Sequence, residues 1–274
     1  MKLRNVGILT GGGDCPGLNA VIRAVTRAAI IEHGAKVIGI EGGFEGLIFR
    51  RTQELTVRST RDILSLGGTI LGTTNKGNPF EWREQNEDGS VTVHDLSFRA
   101  VETFRELQLD CLFVVGGEGT LEIGYKLQQK GIPVIGIPKT IDNDLDKTDY
   151  TFGFQTAVQV ACDALDRLAT TGRSHHRVMI LEVMGRTAGW IALESGLAGG
   201  AHIILIPEIP YDIDSVVNKI SLRTTGGSPY SIIVVAEGAK TIGGDVIVQE
   251  AATNRLQGVP QLGGIGYHLA NQIK

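Results

Sequence analysis

Aromatic residues make up only 5% of the 274 residues, too few for a nucleic-acid surface that works by stacking bases. Nor is there an excess of basic residues. Lys and Arg number 26 against 30 Asp and Glu, a formal charge of -4, so an anionic partner must be held by local devices rather than by a general positive field. Cysteine is nearly absent: Cys15, Cys111 and Cys162 are far apart and odd in number, the pattern of buried thiols in a reducing compartment, and the expected location is cytoplasmic. The opening MKLRNVGILTGGG holds an apolar run too short for a signal h-region or a membrane span, and no later run approaches the length of a membrane helix. What is abundant is glycine. Its 37 residues are about twice the usual share of roughly 7% and follow no collagen-like period, so something in the fold needs tight turns or close backbone approach.

A hydrophobic share of 42% supports a sizeable core, and the length suits two domains or one large α/β domain. Short β-branched apolar runs alternate with helical patterns, the form of repeated βα units around parallel sheets. Strands are predicted at Val6 to Thr10, Val37 to Ile40, Cys111 to Val115, Val134 to Ile137, Val178 to Val183, Ile203 to Ile206 and Ser231 to Ala236. Their unbroken apolar character predicts sheets covered by helices on both faces. Helices are predicted at Leu18 to His33, Phe98 to Leu107, Thr156 to Thr170 and Ala188 to Leu197. The expected fold is α/β: two Rossmann-like three-layer domains, 1–150 and 151–274, with a ligand cleft between them. Between Gly72 and Leu96 lies a polar insertion in which Asp88-Gly89 reads as a hairpin turn.

In open α/β sheets ligands sit beyond the carboxyl ends of strands, and there this chain is rich in glycine. The first predicted strand runs into GGGDCPGLNAVIRA, where Gly11, Gly12 and Gly13 allow a sharp turn and bring amides toward an anion at a helix start; a plain tight turn is the alternative. Neither G-x-G-x-x-G at this loop nor G-x-x-x-x-G-K-[ST] anywhere fits the chain. A second glycine element, GGEGT, sets Gly117, Glu118, Gly119 and Thr120 after a buried strand. A carboxylate amid exposed amides suits a phosphate-bound Mg²⁺, whereas a helix cap by Thr120 is the bland reading. Next comes PKTIDNDLDKTD, with Thr140, Asp142, Asn143, Asp144, Asp146 and Asp149 within ten residues. It is either a solvated acidic loop or a base beside a metal-binding carboxylate, with Asp142 accepting a hydroxyl proton and Asp144 helping to hold Mg²⁺. Arg177 and Arg186 flank one predicted strand, and Glu237 follows another; the arginines suit phosphate oxygens, or else are ordinary surface residues. The six histidines show no metal-ligand spacing.

Taken in order, GGGDCPGLNAVIR, GGEGT, PKTIDND, SHHRV, EVMGR, AGG and VVAEGA resemble the phosphofructokinase family from about Val6 to the end of the chain. The resemblance implies transfer of a phosphoryl group from ATP, with Mg²⁺, to the 1-hydroxyl of fructose 6-phosphate, a step of glycolysis. It implies Asp142 as the base, Thr140 and Ile141 beside the sugar, and Arg186 stabilising the transferring phosphoryl. Met184 and Gly185 would shape the sugar pocket, and Glu237 would bind a sugar hydroxyl. Gly12, Asn75, Lys76, Gly117, Glu118, Gly119 and Thr120 would face the donor, with Glu118 and Asp144 at the metal. Arg177 would reach the 6-phosphate of a neighbouring subunit's substrate, which implies a homotetramer or a dimer. Arg23 and Arg27 match effector-phosphate positions of an allosteric enzyme, although His202 stands where an acidic effector residue is common.

The chain departs from the family in several places. Glu118 replaces an Asp, and Asn75 stands where many members carry an arginine, with Lys76 next to it. After GGIGYHLANQIK the family continues with a Leu-Gly-x-x-Gln-Arg-Gly-Gly stretch and further helices, so a truncated chain is expected. Two other readings compete: an NAD or lipid kinase sharing the GGDG-type loop, and a non-catalytic regulatory subunit. The combination of Asp142, Asp144 and Arg186 speaks for chemistry. Donor choice turns on Gly119, which favours ATP, and Lys139, which favours pyrophosphate. A side chain at 119 would exclude a nucleotide, whereas a lysine merely adds a mobile charge. Turnover with ATP is therefore expected in a steady-state donor-swap assay, and turnover with pyrophosphate alone overturns that choice.

Overall fold

The computed structural model describes residues 3–248 and 262–274. The chain forms two compact units, Met1–Thr140 with Thr151–Gly153, and Ile141–Tyr150 with Phe154–Lys274. The stretch that carries Asp142 and Asp144 thus packs with the second unit.

The first unit runs β1 (Asn5–Thr10), α1 (Leu18–His33), β2 (Lys36–Ile40), α2 (Phe44–Phe49), β3 (Thr52–Leu55), β4 (Trp82–Gln85), β5 (Val91–His94), α3 (Ser97–Glu106), β6 (Cys111–Gly116), α4 (Glu118–Gln129), β7 (Val134–Thr140) and β8 (Phe152–Gly153). Its sheet has the order β3-β2-β1-β6-β7-β8, parallel except for β3, which runs antiparallel to β2. The strands at the centre are apolar because both their faces are covered: five of six residues of β1 are buried. A cluster including Leu9, Ile40, Leu47, Phe104, Leu112, Val114 and Leu127 fills the core. The polar insertion forms the expected hairpin, β4 pairing antiparallel with β5, and it is fastened by Trp82 packed edge-on to Phe49 at 5.2 Å.

The second unit continues with α5 (Phe154–His175), β9 (Val178–Val183), α6 (Trp190–Ala198), β10 (Ile203–Leu205), α7 (Ile213–Thr225), β11 (Ser231–Ala236) and α8 (Ile265–Ile273). Its described strands form a parallel sheet in the order β10-β11-β9. Alternation along β11 explains its apolar run. Ile232, Val234 and Ala236 pack with Leu165 of α5 and Ala192 of α6, while Ile233 and Val235 pack with Val216 of α7 and Ile265 and Leu269 of α8.

Three expectations need correction. Strands β7 and β9 are not buried on both faces. In β7 Ile135 is 48% exposed, and every residue of β9 is half-buried. The reason is position: among the described strands β9 lies at an edge, and β7 has only the two-residue β8 beyond it. Helix α5 runs past the predicted end at Thr170 through Gly172, whose missing side chain lets Met179 of β9 come close. Of the three cysteines, Cys15 and Cys111 are buried but Cys162 is half-exposed, and all are free.

The sequence also hides an anchor. Glu182, a lone charge in the apolar run VMILEV, accepts the amides of Gly264 and Gly266 at 2.8 Å each, so a carboxylate from β9 caps the first turn of α8 and meets the positive end of its dipole. Replacing Glu182 with Ala should lower stability by about 2–3 kcal/mol, and Glu182→Gln, which retains one acceptor, by less. Thermal unfolding of the two variants checks the order.

Candidate active site

In the first unit, β1 ends at Thr10 and the chain turns through Gly11 to Asp14. The amide of Gly11 donates to Val115 (2.9 Å) and that of Gly12 to Thr74 (3.1 Å). The Gly12 carbonyl accepts from Thr73 Oγ1 at 2.6 Å. These bonds correct the expectation that all three glycines offer their amides to an anion. The amides of Gly13 and Asp14 have no acceptor among the described residues, and the position of Gly13 is open, with no atom within 4 Å of an added Cβ. Asn75 and Lys76 are exposed beside this loop, because Thr73 and Thr74 hold it. Thr73 was not singled out from the sequence, where a run of two threonines carries no signal of its own.

The second glycine element opens α4 with Gly117 as N-cap and no side-chain cap. Thr120 is not a cap, as the bland reading would have it; it is 7% exposed. Glu118 and Gly119 are exposed in the first turn, and an added Cβ at Gly119 meets nothing within 4 Å. An uncapped helix start with open space at its second residue is suited to an anion.

Lys139 is the clearest correction. It is not a mobile charge: the residue is 4% exposed, and its ammonium group donates to the Gly13 carbonyl. Burial pulls its pKa down, opposed by Cys15 and Asp14. Cys15, whose thiol bonds to Phe152 O at 3.3 Å, is pushed up to about 11, chiefly by burial, so it is inert rather than nucleophilic. Thr140 closes β7, its carbonyl bound by Thr151 Oγ1 at 2.6 Å.

In the second unit the loop after residue 140 turns back on itself, Asn143 Nδ2 bonding Asp149 O at 3.3 Å, with Asn143 and Lys147 in the left-handed region. Ile141 packs against the cluster of Phe154, Ala161 and Ile191, so it anchors the loop. Asp142 is raised from 3.8 to about 6, first by burial, then by the charges of Asp144 and Glu237, with Arg186 pulling the other way. Glu237 is also raised, mainly by burial and further by Glu182, against the opposing influence of Arg186 and the Gly185 amide. The structure thus brings Asp142, Asp144, Arg186 and Glu237 into one electrostatic group. Gly185 has φ +142, and a Cβ there would stand 2.7 Å from the Ala188 carbonyl, so the turn that delivers Arg186 requires glycine. Met184 is 54% exposed beside it. A cleft of about 880 Å³ opens next to this group, lined by the Asn143–Tyr150 loop, Thr187, Ala188, Trp190 and Glu194.

Arg177 is not part of that group. It precedes β9 and Arg186 follows it, so the six-residue strand separates them by about 20 Å. Arg23 and Arg27 are half-buried on α1, Arg23 Nε donating to Arg61 O at 3.4 Å. His202 accepts the Ile232 amide through Nδ1 at 2.8 Å; burial, then Arg223 and Lys219, hold its pKa down.

Comparison with known proteins decides the family. The phosphofructokinase family model matches residues 5–273. The chain belongs to the phosphofructokinase family. It is 52% identical over 272 residues to ATP-dependent 6-phosphofructokinase 2 of Clostridium perfringens, covering 99% of this chain and 74% of that protein. It is 48% identical over 269 residues, 98% of this chain and 74% of the relative, to the pyrophosphate–fructose 6-phosphate 1-phosphotransferase of Amycolatopsis methanolica. The phosphofructokinase structure from Saccharomyces cerevisiae superposes with TM-score 0.77 at 27% identity, over 98% of this chain and 36% of that one. This chain therefore spans about three quarters of its Clostridium relative and little more than a third of the yeast phosphofructokinase. The two α/β units with mostly parallel sheets are the phosphofructokinase fold.

The donor set fits a phosphate-borne Mg²⁺ rather than a metal caged by protein. No cluster of three or more His, Cys, Asp or Glu suited to a metal exists among the described residues, and Mg²⁺ commonly takes one or two carboxylates and completes its shell with phosphate oxygens and water. Asp144 and Glu118, both exposed, are carboxylates of that kind.

At about 1.4 kcal/mol per pH unit, the raised pKa of Asp142 makes its ionised form a cost of up to about 3 kcal/mol to the fold, discounted to about 1–2 because the group keeps some contact with water. The folded value lies above the unfolded one, so this cost is absent below about pH 4 and complete above about pH 6. Asp142→Asn should accordingly raise the melting temperature at pH 7.5 and leave it nearly unchanged at pH 3.5.

Proposed function

We propose that this chain is a 6-phosphofructokinase, transferring the γ-phosphoryl group of ATP to the 1-hydroxyl of fructose 6-phosphate. One observation carries the reading: a carboxylate raised to about 6 by burial and by two neighbouring carboxylates, with an arginine in the same group. A base of that pKa is ionised at neutral pH yet basic enough to accept a hydroxyl proton as the oxygen attacks. The name of the Clostridium relative supports ATP as donor, and the open position at Gly119 leaves room for a nucleotide.

In this reading the first unit, through residue 140, binds the donor. The free amides of Gly13 and Asp14 and the first turn of α4 receive phosphate oxygens, and Asn75 and Lys76 add contacts at the loop beside them. The residues from 141 onward carry the acceptor site. Asp142 takes the proton from the sugar hydroxyl, and Glu237 accepts a hydrogen bond from another sugar hydroxyl. Arg186 meets the charge that develops on the transferring phosphoryl group, while Met184 and the Gly185 turn bound the sugar. Glu118 in the first unit and Asp144 in the second are each carboxylates that would serve a Mg²⁺ ion, which would neutralise charge on the donor phosphates.

Arg177 belongs to a different phosphate. Its distance along β9 from Arg186 supports a role at the 6-phosphate of a sugar bound by a second copy of the chain, so the working form is a homo-oligomer, dimer or tetramer. Arg23 and Arg27 serve an anionic effector in this reading. The tie of Lys139 to Gly13 supports ATP over pyrophosphate, since its ammonium is occupied within the fold. A cytoplasmic place in glycolysis belongs to the same reading; no described helix is long and apolar enough to cross a membrane.

The test is a coupled assay with fructose 6-phosphate and Mg-ATP. Asp142→Asn should lower kcat by about 10²–10⁴-fold while sugar binding persists. For the unaltered chain, kcat should fall tenfold per pH unit below about pH 6, as Asp142 becomes protonated. Full turnover by the Asn variant, or an unchanged rate at pH 5, sinks the assignment of the base.

A further inference from the structure

Thr120 is the third residue of α4, and the glycines around it are arranged to its shape. A Cβ on Gly11 would stand 2.8 Å from Thr120 Cγ2 and 2.9 Å from Oγ1; a Cβ on Gly116 would stand 2.4 Å from both Thr120 Cβ and Cγ2. Side chains cannot be packed at such separations. Gly11 and Gly116 are therefore glycine because Thr120 occupies the space. Neither faces a ligand: the Gly11 amide is spent on Val115, and Gly116 is buried at the end of β6. Within these two loops the glycines with open space in front of them are Gly13 and Gly119. Each lies one or two residues from a glycine that Thr120 contacts or from Thr120 itself.

We propose that Thr120 is a positioning residue whose two γ atoms, wedged against Gly11, set by their bulk the separation between the Gly11–Asp14 loop and the first turn of α4. The two sets of amides that face the donor phosphates are thus held apart by the volume of the side chain, and hydrogen bonding by the hydroxyl is not the feature that matters for donor affinity. The inference rests on reading these loops as the donor site, but the packing relation behind it is testable without a donor.

Two substitutions separate the roles of methyl and hydroxyl. Thr120→Val keeps both γ positions filled and loses the oxygen; Thr120→Ser keeps the oxygen and loses the methyl. Calorimetric titration with Mg-ATP should show the Val variant binding more tightly than the Ser variant, by roughly threefold to tenfold, with the KM for ATP following the same order and kcat at saturating ATP similar in both. The reverse order, Ser above Val, makes the hydroxyl a phosphate ligand and overturns the proposal. A packing arm uses melting temperature alone. Gly11→Ala should destabilise the chain, and adding Thr120→Ala should restore most of the loss, because the obstructing atoms are Cγ2 and Oγ1. Gly116→Ala should not be restored by Thr120→Ala, because there the Cβ of residue 120 itself obstructs. If Gly11→Ala is equally unstable with and without Thr120→Ala, the wedge is wrong. If the melting pattern holds and no variant or parent binds Mg-ATP, the donor reading fails and the packing relation stands.

Discussion

Parallel pairing brings the ends of β1, β6 and β7 out nearly level with one another: Thr10 stands beside Val115, and Gly116 beside Pro138. Hydrogen-bond register leaves little freedom here, since a slip of one residue would turn every apolar side chain of a strand to the wrong face. Three chain segments therefore leave the sheet along one edge: the Gly11–Asp14 loop, the start of α4, and the Lys139–Thr140 exit from β7. The crowding is sharpest at Gly11 and Gly116, where an added Cβ would stand within 3 Å of Thr120. Glycine at the exits, a single wedge from α4 and a buried lysine that closes on Gly13 satisfy the geometry together, and each of these depends on the register that sets the strand ends level.

The second unit solves a different problem. Its candidate site keeps three carboxylates near one another, an arrangement that water would screen and burial does not. The resulting repulsion is retained because Asp142 is fixed by its surroundings. Ile141 is locked into an apolar cluster on one side, and the folded-back loop closed by Asn143 and Asp149 lies on the other. Arg186 offsets part of the charge, and Gly185 permits the turn on which it sits. In the proposed reading stability and chemistry pull in opposite directions at this one residue, whose ionised form burial and its neighbours disfavour.

Much of this was legible in the chain itself. The apolar runs marked seven strands to within a few residues, and Asp88-Gly89 marked the hairpin. The elements that escaped notice lacked a strong local pattern. Helix α2 is a single short turn-and-a-half whose residues are mostly buried, so it shows no periodic face. Helix α7 did carry a readable start, for Asp212 caps the amides of Asp214 and Ser215. The exposure of β7 and β9 was not readable, because an edge strand and a central one can share the same composition when helices cover one face. Side-chain roles were the hardest part. Lys139 looks like any charged residue after a strand, and only the path of the Gly13 carbonyl shows that it is buried and bonded; Glu182 had a signal, a single acid in an apolar strand, whose partner lies some eighty residues away.

The β4–β5 hairpin has a consequence of another kind. Nearly every residue of its two strands is exposed, and its attachment to the rest of the first unit includes one ring contact, Trp82 on Phe49. A ribbon with neither face buried is free to change length or content at its tip without disturbing any register that matters. Its turn at Asp88-Gly89 is thus a natural port for inserting a reporter peptide or a second folded module into this enzyme.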